Sequence, residues 1–232
     1  MRRFRALDLL SNQQLDNSAT VANCRMNRER NLYGTNGYDT ELRLDPISYL
    51  REVGSDEPVR WLDLCCGSAT ALAEADKIIA KAGFPITIVG IDLVDMFTTS
   101  GTEQLKLINA SLNEWMPAEP FDLITCVHGL HYLGDKLGLI VKFSSWLTAN
   151  GRFVANFDPN NLKLAGRKTS RTAIEWMRRE GIQFSASHKL LECQGRKKLQ
   201  IPFEYLGADD QAGPNYTGQP AVNSHYQTLK QV

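Results

Sequence analysis

The chain has 232 residues, 43% of them hydrophobic, with 26 Lys plus Arg balancing 26 Asp plus Glu. That length allows one domain with a sizeable core, and the neutral balance argues against a dedicated nucleic-acid binder. Five cysteines without CxxC spacing argue against a disulfide framework or a metal site, and no run approaches the ~18 apolar residues of a membrane span.

The N-terminal MRRFRALDLLSNQQ is basic, but its apolar stretch is too short and interrupted for a signal peptide, so a soluble cytoplasmic protein is expected. Residues 1–50 read as a helical arm or cap. Within it, Asn23 to Pro46 is polar, with a helical-looking start and a break at Gly34 and Gly37. From Val59 short apolar runs alternate with longer amphipathic ones. VRWLDL is followed by a helix from about Ala69 to Ala82, then ITIVGID, LKLIN and FDLITCV, a helix from about Asp135 to Thr148, and GRFVANFD. ITIVG and FDLITCV are nearly continuous in apolar and β-branched residues, as strands buried on both faces must be. Such alternation predicts an α/β fold, a mostly parallel sheet with helices on both sides.

After a helix over Arg171 to Arg179, closed by Gly181, the stretch IQFSASHKLLECQGRKKLQIPFEYLG reads as two extended runs joined at QGRK, an antiparallel hairpin at the sheet edge. Residues 51–207 would thus form the main domain. The tail over 208–232 is rich in Gly, Pro, Asn and Gln without a period, and is expected to be a covering loop or a disordered segment.

The stretch WLDLCCGSAT, Trp61 to Thr70, is a strand, a tight turn and a helix start, the form of a nucleotide-type site. Dinucleotide sites want GxGxxG and avoid negative charge beside the pyrophosphate, whereas Asp63 stands at this strand tip. A carboxylate there suits a cationic ligand without phosphate, such as S-adenosylmethionine. Asp92, ending ITIVGID, is placed to accept hydrogen bonds from two ribose hydroxyls.

With DLCCGSA, the second acid in ID, and FDLITCVHGLHYL, the segment from about Val59 to Asp158 resembles the class I S-adenosylmethionine-dependent methyltransferases. The resemblance implies a Rossmann-like three-layer sandwich with a seven-stranded, mostly parallel sheet and an antiparallel terminal hairpin. It implies a cofactor-binding set of Asp63, Cys65, Gly67, Asp92, Leu93, Ser111, Leu112, Val127 and Tyr38, with S-adenosyl-L-methionine as cofactor and methyl transfer to an O or N atom of a small molecule as activity. Three departures stand out. Cys65 and Ala69 replace the outer glycines, leaving Gly67 as the one residue suited to a left-handed turn. Ser111 occupies the place of the acid that often meets the adenine amino group. LVDMFTTSGTEQ is short for a full helix.

Each residue also has a plainer reading: Asp63 as a helix cap, Asp92 as a strand-end turn residue, the Cys65–Cys66 pair as small buried filling. His128 and His131 follow the fourth strand, at the end of the sheet where ligands bind, and are candidates for accepting a proton from the methyl acceptor. Their plain alternative is packing under the loop and facing solvent. Tyr33, Tyr38 and Arg43 either close over the site or pack the arm on the sheet. The basic clusters GRKTSR, MRR and GRKK are expected to be solvated surface. The partner is a small-molecule acceptor, with nucleic acid disfavoured, no membrane, and a homodimer compatible. Rival readings are an RNA or protein methyltransferase, an NAD-dependent oxidoreductase, and a non-catalytic nucleotide-binding module.

Overall fold

The computed structural model describes residues 8–22, 29–54, 58–166 and 170–229. The helical start expected at Asn23 and Lys168 of GRKTSR lie outside the described residues. In chain order the strands are β1 (Val59–Leu64), β2 (Ile86–Asp92), β3 (Leu105–Asn109), β4 (Phe121–Cys126), β5 (Leu147–Asn156), β6 (Leu162–Leu164), β7 (Ile182–Ser185), β8 (Leu190–Gln194), β9 (Phe203–Asp209) and β10 (Asn223–Thr228). The helices are α1 (Asn12–Asp16), α2 (Ala19–Ala22), α3 (Tyr38–Leu42), α4 (Pro46–Gly54), α5 (Thr70–Ala82), α6 (Lys136–Ser145) and α7 (Ser170–Arg179).

Seven strands form one sheet in the order β3-β2-β1-β4-β5-β8-β7. β1 runs parallel to β2 and β4, β2 to β3, and β4 to β5, whereas β8 runs antiparallel to both β5 and β7. Side chains alternate along each strand, so each strand feeds two cores. Leu62 and Leu64 of β1 with Val89 and Ile91 of β2 pack with α6 and α7 on one face. Val59 and Trp61 with Ile86 and Ile88 pack with α3, α4 and α5 on the other. Three layers result, in a Rossmann-like α/β fold whose strand order reverses between β1 and β4.

Local chemistry sets the helix limits. Asp135 caps α6 by accepting the Gly138 N–H at 3.0 Å, and Gly83 closes α5 with a left-handed residue whose N–H reaches Ala80 and Ile79 carbonyls. Thr148, placed by the sequence pattern at the end of this helix, belongs to β5 instead.

Two expectations at the C-terminal end are corrected. The hairpin turns through 186–189, not at QGRK, and Phe203–Asp209 leaves the main sheet. QGRK is pinned where it stands: the Gly195 N–H donates to the Gly151 carbonyl at 2.7 Å, the Arg196 N–H to Thr148, and Arg196 Nε to Leu147 at 2.7 Å. The tail is no loose cover, for it contributes β10, which pairs antiparallel with β9 and parallel with β6 in a second, three-stranded sheet. Lys136, buried in the first turn of α6, joins the two sheets. Its Nζ donates to the carbonyls of Leu133 and Val222, both at 2.7 Å, and to Ser224 Oγ at 3.2 Å. Burial pushes this amine down to about 7.

Candidate active site

Parallel strands ending side by side at a reversal of strand order leave a crevice beyond their carboxyl ends. Here the ends of β1, β2 and β4 meet there. The turn after β1 is strained: Cys65 (φ 58°) and Ala69 (φ 62°) share the left-handed region with Gly67 (φ 60°). Gly67 was expected to be left-handed alone, and each of the other two costs about 1–2 kcal/mol. The turn is held because the Gly67 N–H donates to Asp92 Oδ2 at 2.9 Å and the Cys66 N–H to the Ile91 carbonyl at 3.0 Å, tying it to the tip of β2. Val94 N–H meets the other Asp92 oxygen at 3.0 Å.

Asp63 sits elsewhere than the charge argument requires. As an odd-numbered residue of β1 it points into the core with Trp61, is fully buried, and accepts hydrogen bonds from Tyr38 Oη at 2.7 Å and from Thr125 Oγ1. Thr125 in turn accepts from Trp61 Nε1 at 2.8 Å. Burial raises the Asp63 carboxyl to about 7, against the pull of those two donors. Tyr38 therefore closes over Asp63 and not over the crevice, and burial beside that carboxyl holds its phenol well above the usual range. Tyr33 is turned outward to Asp45, and Arg43 forms the left-handed end of α3.

The crevice holds a pocket that brings together Cys65, Asp92, Leu93, Ser111, Leu112, Val127 and His128 of the expected set; Asp63, Gly67, Tyr38 and His131 do not line it. Its walls are apolar apart from Asp92, Asp16, His128 and a few hydroxyls and amides. Asp16, on α1, was not foreseen. Ser111 Oγ donates to its Oδ2 at 2.7 Å, so a carboxylate from the arm stands where the third strand offers none. Asp16 and Val21 of the arm also line the pocket, whose volume is about 70 Å³. Gly129 forms the floor: a Cβ there would lie 2.5 Å from Cys65 Cβ and 2.8 Å from Cys126 Sγ.

His128 opens the loop after β4 in the left-handed conformation (φ 58°) and is buried. Its N–H donates to Asn156 Oδ1 at 3.2 Å, and Nε2 lies 3.0 Å from Glu41 Oε2. Glu41 also pairs with Arg30 Nη1 at 2.9 Å; the His128 hydrogen bond, more than any other contact, holds its carboxyl below the usual range. Nδ1 of His128 is 3.5 Å from Tyr216 Oη. His131 is equally buried, packed edge-on to Tyr216 at 5.2 Å between ring centres, and neither ring nitrogen has a hydrogen-bond partner. Desolvation, then the nearby His128 and Lys136, holds it neutral, well below the usual imidazole range. The two histidines thus share Tyr216, rather than one packing and one facing solvent. Glu41 and Asn156 were missed because nothing local marks them; with Tyr216 they meet His128 from 87, 28 and 88 residues away.

A family model described as a methyltransferase domain matches residues 37–192, well over half of the chain. No curated protein matches the sequence. Among solved structures, the chain is similar to the plantazolicin methyltransferase BpumL in complex with SAH, at TM-score 0.40 and 17% identity over 47% of this chain and 42% of that one. It is similar to the N-methyltransferase NodS from Bradyrhizobium japonicum WM9, at TM-score 0.41 and 14% identity over 65% and 85%. It is similar to CalS10, an amino pentose methyltransferase from Micromonospora echinaspora, at TM-score 0.38 and 20% identity over 48% of each chain. The chain thus spans about four-tenths of the length of BpumL and half that of CalS10. On its family match and its sheet order, the chain belongs to the methyltransferase-domain family, the S-adenosylmethionine-dependent class I enzymes that its sequence resembles.

Proposed function

We propose that the protein methylates an O or N atom of a small molecule, using the crevice at the ends of β1, β2 and β4. Asp92 carries this reading: it is the acid at the end of the second strand, and it faces a pocket whose other walls are mostly apolar. The residues fit an adenosine. Leu93, Leu112 and Val127 suit the ring, the Asp92 carboxylate suits ribose hydroxyls, and Asp16 with Ser111 suits an exocyclic amino group. When bound, S-adenosylmethionine supplies an electrophilic sulfonium methyl. The turn from Cys65 to Gly67 offers backbone groups to the amino-acid end.

His128 is proposed as the base. With Nε2–H donated to Glu41, Nδ1 is the bare nitrogen and can take the acceptor's proton, an effect of about 10² to 10⁴ in rate. Glu41 positions it. The 1–50 arm serves as a cap, since α1 and α2 contribute Asp16 and Val21 to the pocket lining. A homodimer and a cytoplasmic location remain part of this proposal. A nucleic-acid acceptor is disfavoured because Arg178 and Arg179 lie exposed on α7, packed against β7, and neither lines the pocket.

Thermal denaturation with S-adenosylmethionine, its demethylated product or NAD tests the reading. The first two should stabilise by about 2.7 kcal/mol at ~100 times Kd. Asp92→Ala should abolish that shift with the far-ultraviolet circular dichroism spectrum unchanged. Stabilisation by NAD alone overturns the proposal.

A further inference from the structure

Beyond Tyr216 lies a second recess of about 320 Å³, at the carboxyl end of β5, bounded by Asp158, Asn161, Lys163, Asn215, Tyr216 and Asn223. Its polar groups are oriented by hydrogen bonds. Asn215 Oδ1 accepts both the Thr217 N–H at 2.7 Å and Thr217 Oγ1, so its Nδ2 is the group left over. Asn223 Nδ2 donates to Asp209, which leaves Asn223 Oδ1 to accept from Asn161 Nδ2 at 3.4 Å. That in turn leaves Asn161 Oδ1 over. Both leftover atoms, one donor and one acceptor, are buried without a hydrogen-bond partner. A buried polar atom left unpaired costs enough free energy that native proteins almost always satisfy it, with protein, water or ligand.

We infer that this recess binds the methyl acceptor, and that the acceptor is a neutral molecule presenting a hydrogen-bond donor beside an acceptor, as the edge of a carboxamide or lactam does. Asn161 and Asn215 line the recess, and a turn of each side chain brings the closed-off Asn161 Oδ1 to the donor and Asn215 Nδ2 to the acceptor. An anion is disfavoured because the buried charge in the recess is the Asp158 carboxylate, while Lys163 is exposed and donates to the Asn160 carbonyl. The recess and the cofactor pocket are linked through one side chain. Tyr216 lines the recess, its hydroxyl is 3.5 Å from His128 Nδ1, and His128 lines the pocket. Behind the same ring stands His131 with two unpaired nitrogens. A molecule seated on Asn161 and Asn215 would extend past Tyr216 toward the proposed base. The identification of this ligand as the acceptor rests on the methyl-transfer reading; the site itself does not.

The experiment uses the full chain with the demethylated cofactor added. Nicotinamide, benzamide, 2-pyridone and uracil are titrated to millimolar concentration against nicotinate and benzoate, followed by the Asn215 side-chain amide signal in nitrogen-15 spectra. At least one amide or lactam should shift that signal, and the carboxylates should not. Asn161→Leu and Asn215→Leu, titrated by calorimetry, should each weaken the binding about tenfold, the size of one buried hydrogen bond, without changing the thermal shift from the cofactor. The inference is overturned if no amide or lactam binds, if carboxylates bind as well, or if binding survives both substitutions. Amide binding without any cofactor binding would instead remove the methyl-transfer reading and leave the recess.

Discussion

Asp63 shows how one residue's meaning depends on which way it points. Its place at the tip of β1 was legible from the sequence; its partners were not, because strand alternation puts it under α3 with Tyr38 and Thr125. A carboxyl raised from 3.8 to about 7 binds its proton more tightly folded than unfolded. Its contribution is therefore full at acid pH and is lost as pH rises from about 4 through about 7, roughly 4 kcal/mol in all. Asp63→Asn keeps the shape and removes the titration. Melting temperatures of wild type and variant should converge below pH 4 and separate by pH 8, with the variant higher; parallel curves from pH 4 to 8 would show that the carboxyl is ionised throughout. The left-handed Cys65 and Ala69 carry a related lesson. A glycine pattern marks where a turn of this kind costs nothing, but tertiary contacts such as Gly67 to Asp92 hold other residues there as well.

At the scale of elements, the loop after β4 and the short helix α3 cooperate. The sequence pattern located FDLITCV as a strand and placed both histidines beyond it, which the structure bears out. It could not locate Glu41, since α3 has five residues and too short a period to reveal the face it presents. Asn156 completes the joint: it accepts the His128 N–H and donates from Nδ2 to the Glu41 carbonyl at 3.2 Å, so β5 locks the loop and α3 together. The pairing of Nε2 with Glu41 fixes which nitrogen is protonated. Nitrogen-15 spectra of labelled histidine should show His128 protonated at Nε2 and bare at Nδ1, and Glu41→Gln should mix the tautomers while leaving the cofactor's thermal shift intact. A single, unchanged tautomer in the variant would remove Glu41 as the positioning group.

Over the whole molecule, the segments farthest apart in sequence meet at the same end of the sheet. The arm rests on the second sheet through Leu10, which pairs with Ala208, and through a small core of Leu15, Val21, Ala208 and Val222. It also narrows the pocket to about 70 Å³, whereas sites for such ligands run to ~300 Å³ or more. An adenosine-sized ligand therefore requires the pocket to widen, and α1 and α2, which contribute Asp16 and Val21 to its lining, are the elements this proposal assigns to that movement. Hydrogen exchange over residues 12–22 should change on adding S-adenosylmethionine, while the strands of the main sheet stay protected. Exchange that is identical with and without ligand would show that the pocket accommodates it some other way.

What the amino-acid order determined by itself is the part governed by local rules. β-Branched runs gave the central strands, amphipathic periods the helices, and residue type at strand ends the acid at Asp92 and the family resemblance. The tertiary structure decided what depends on distant partners. It moved the hairpin from QGRK to 186–189, made a strand of a polar tail by pairing it on both sides, sealed Asp63 in the core, and brought Asp16, Glu41 and Tyr216 to the crevice. The physical reason is that hydrogen bonding and burial are settled by neighbours in space, and a short polar segment carries no period that names those neighbours.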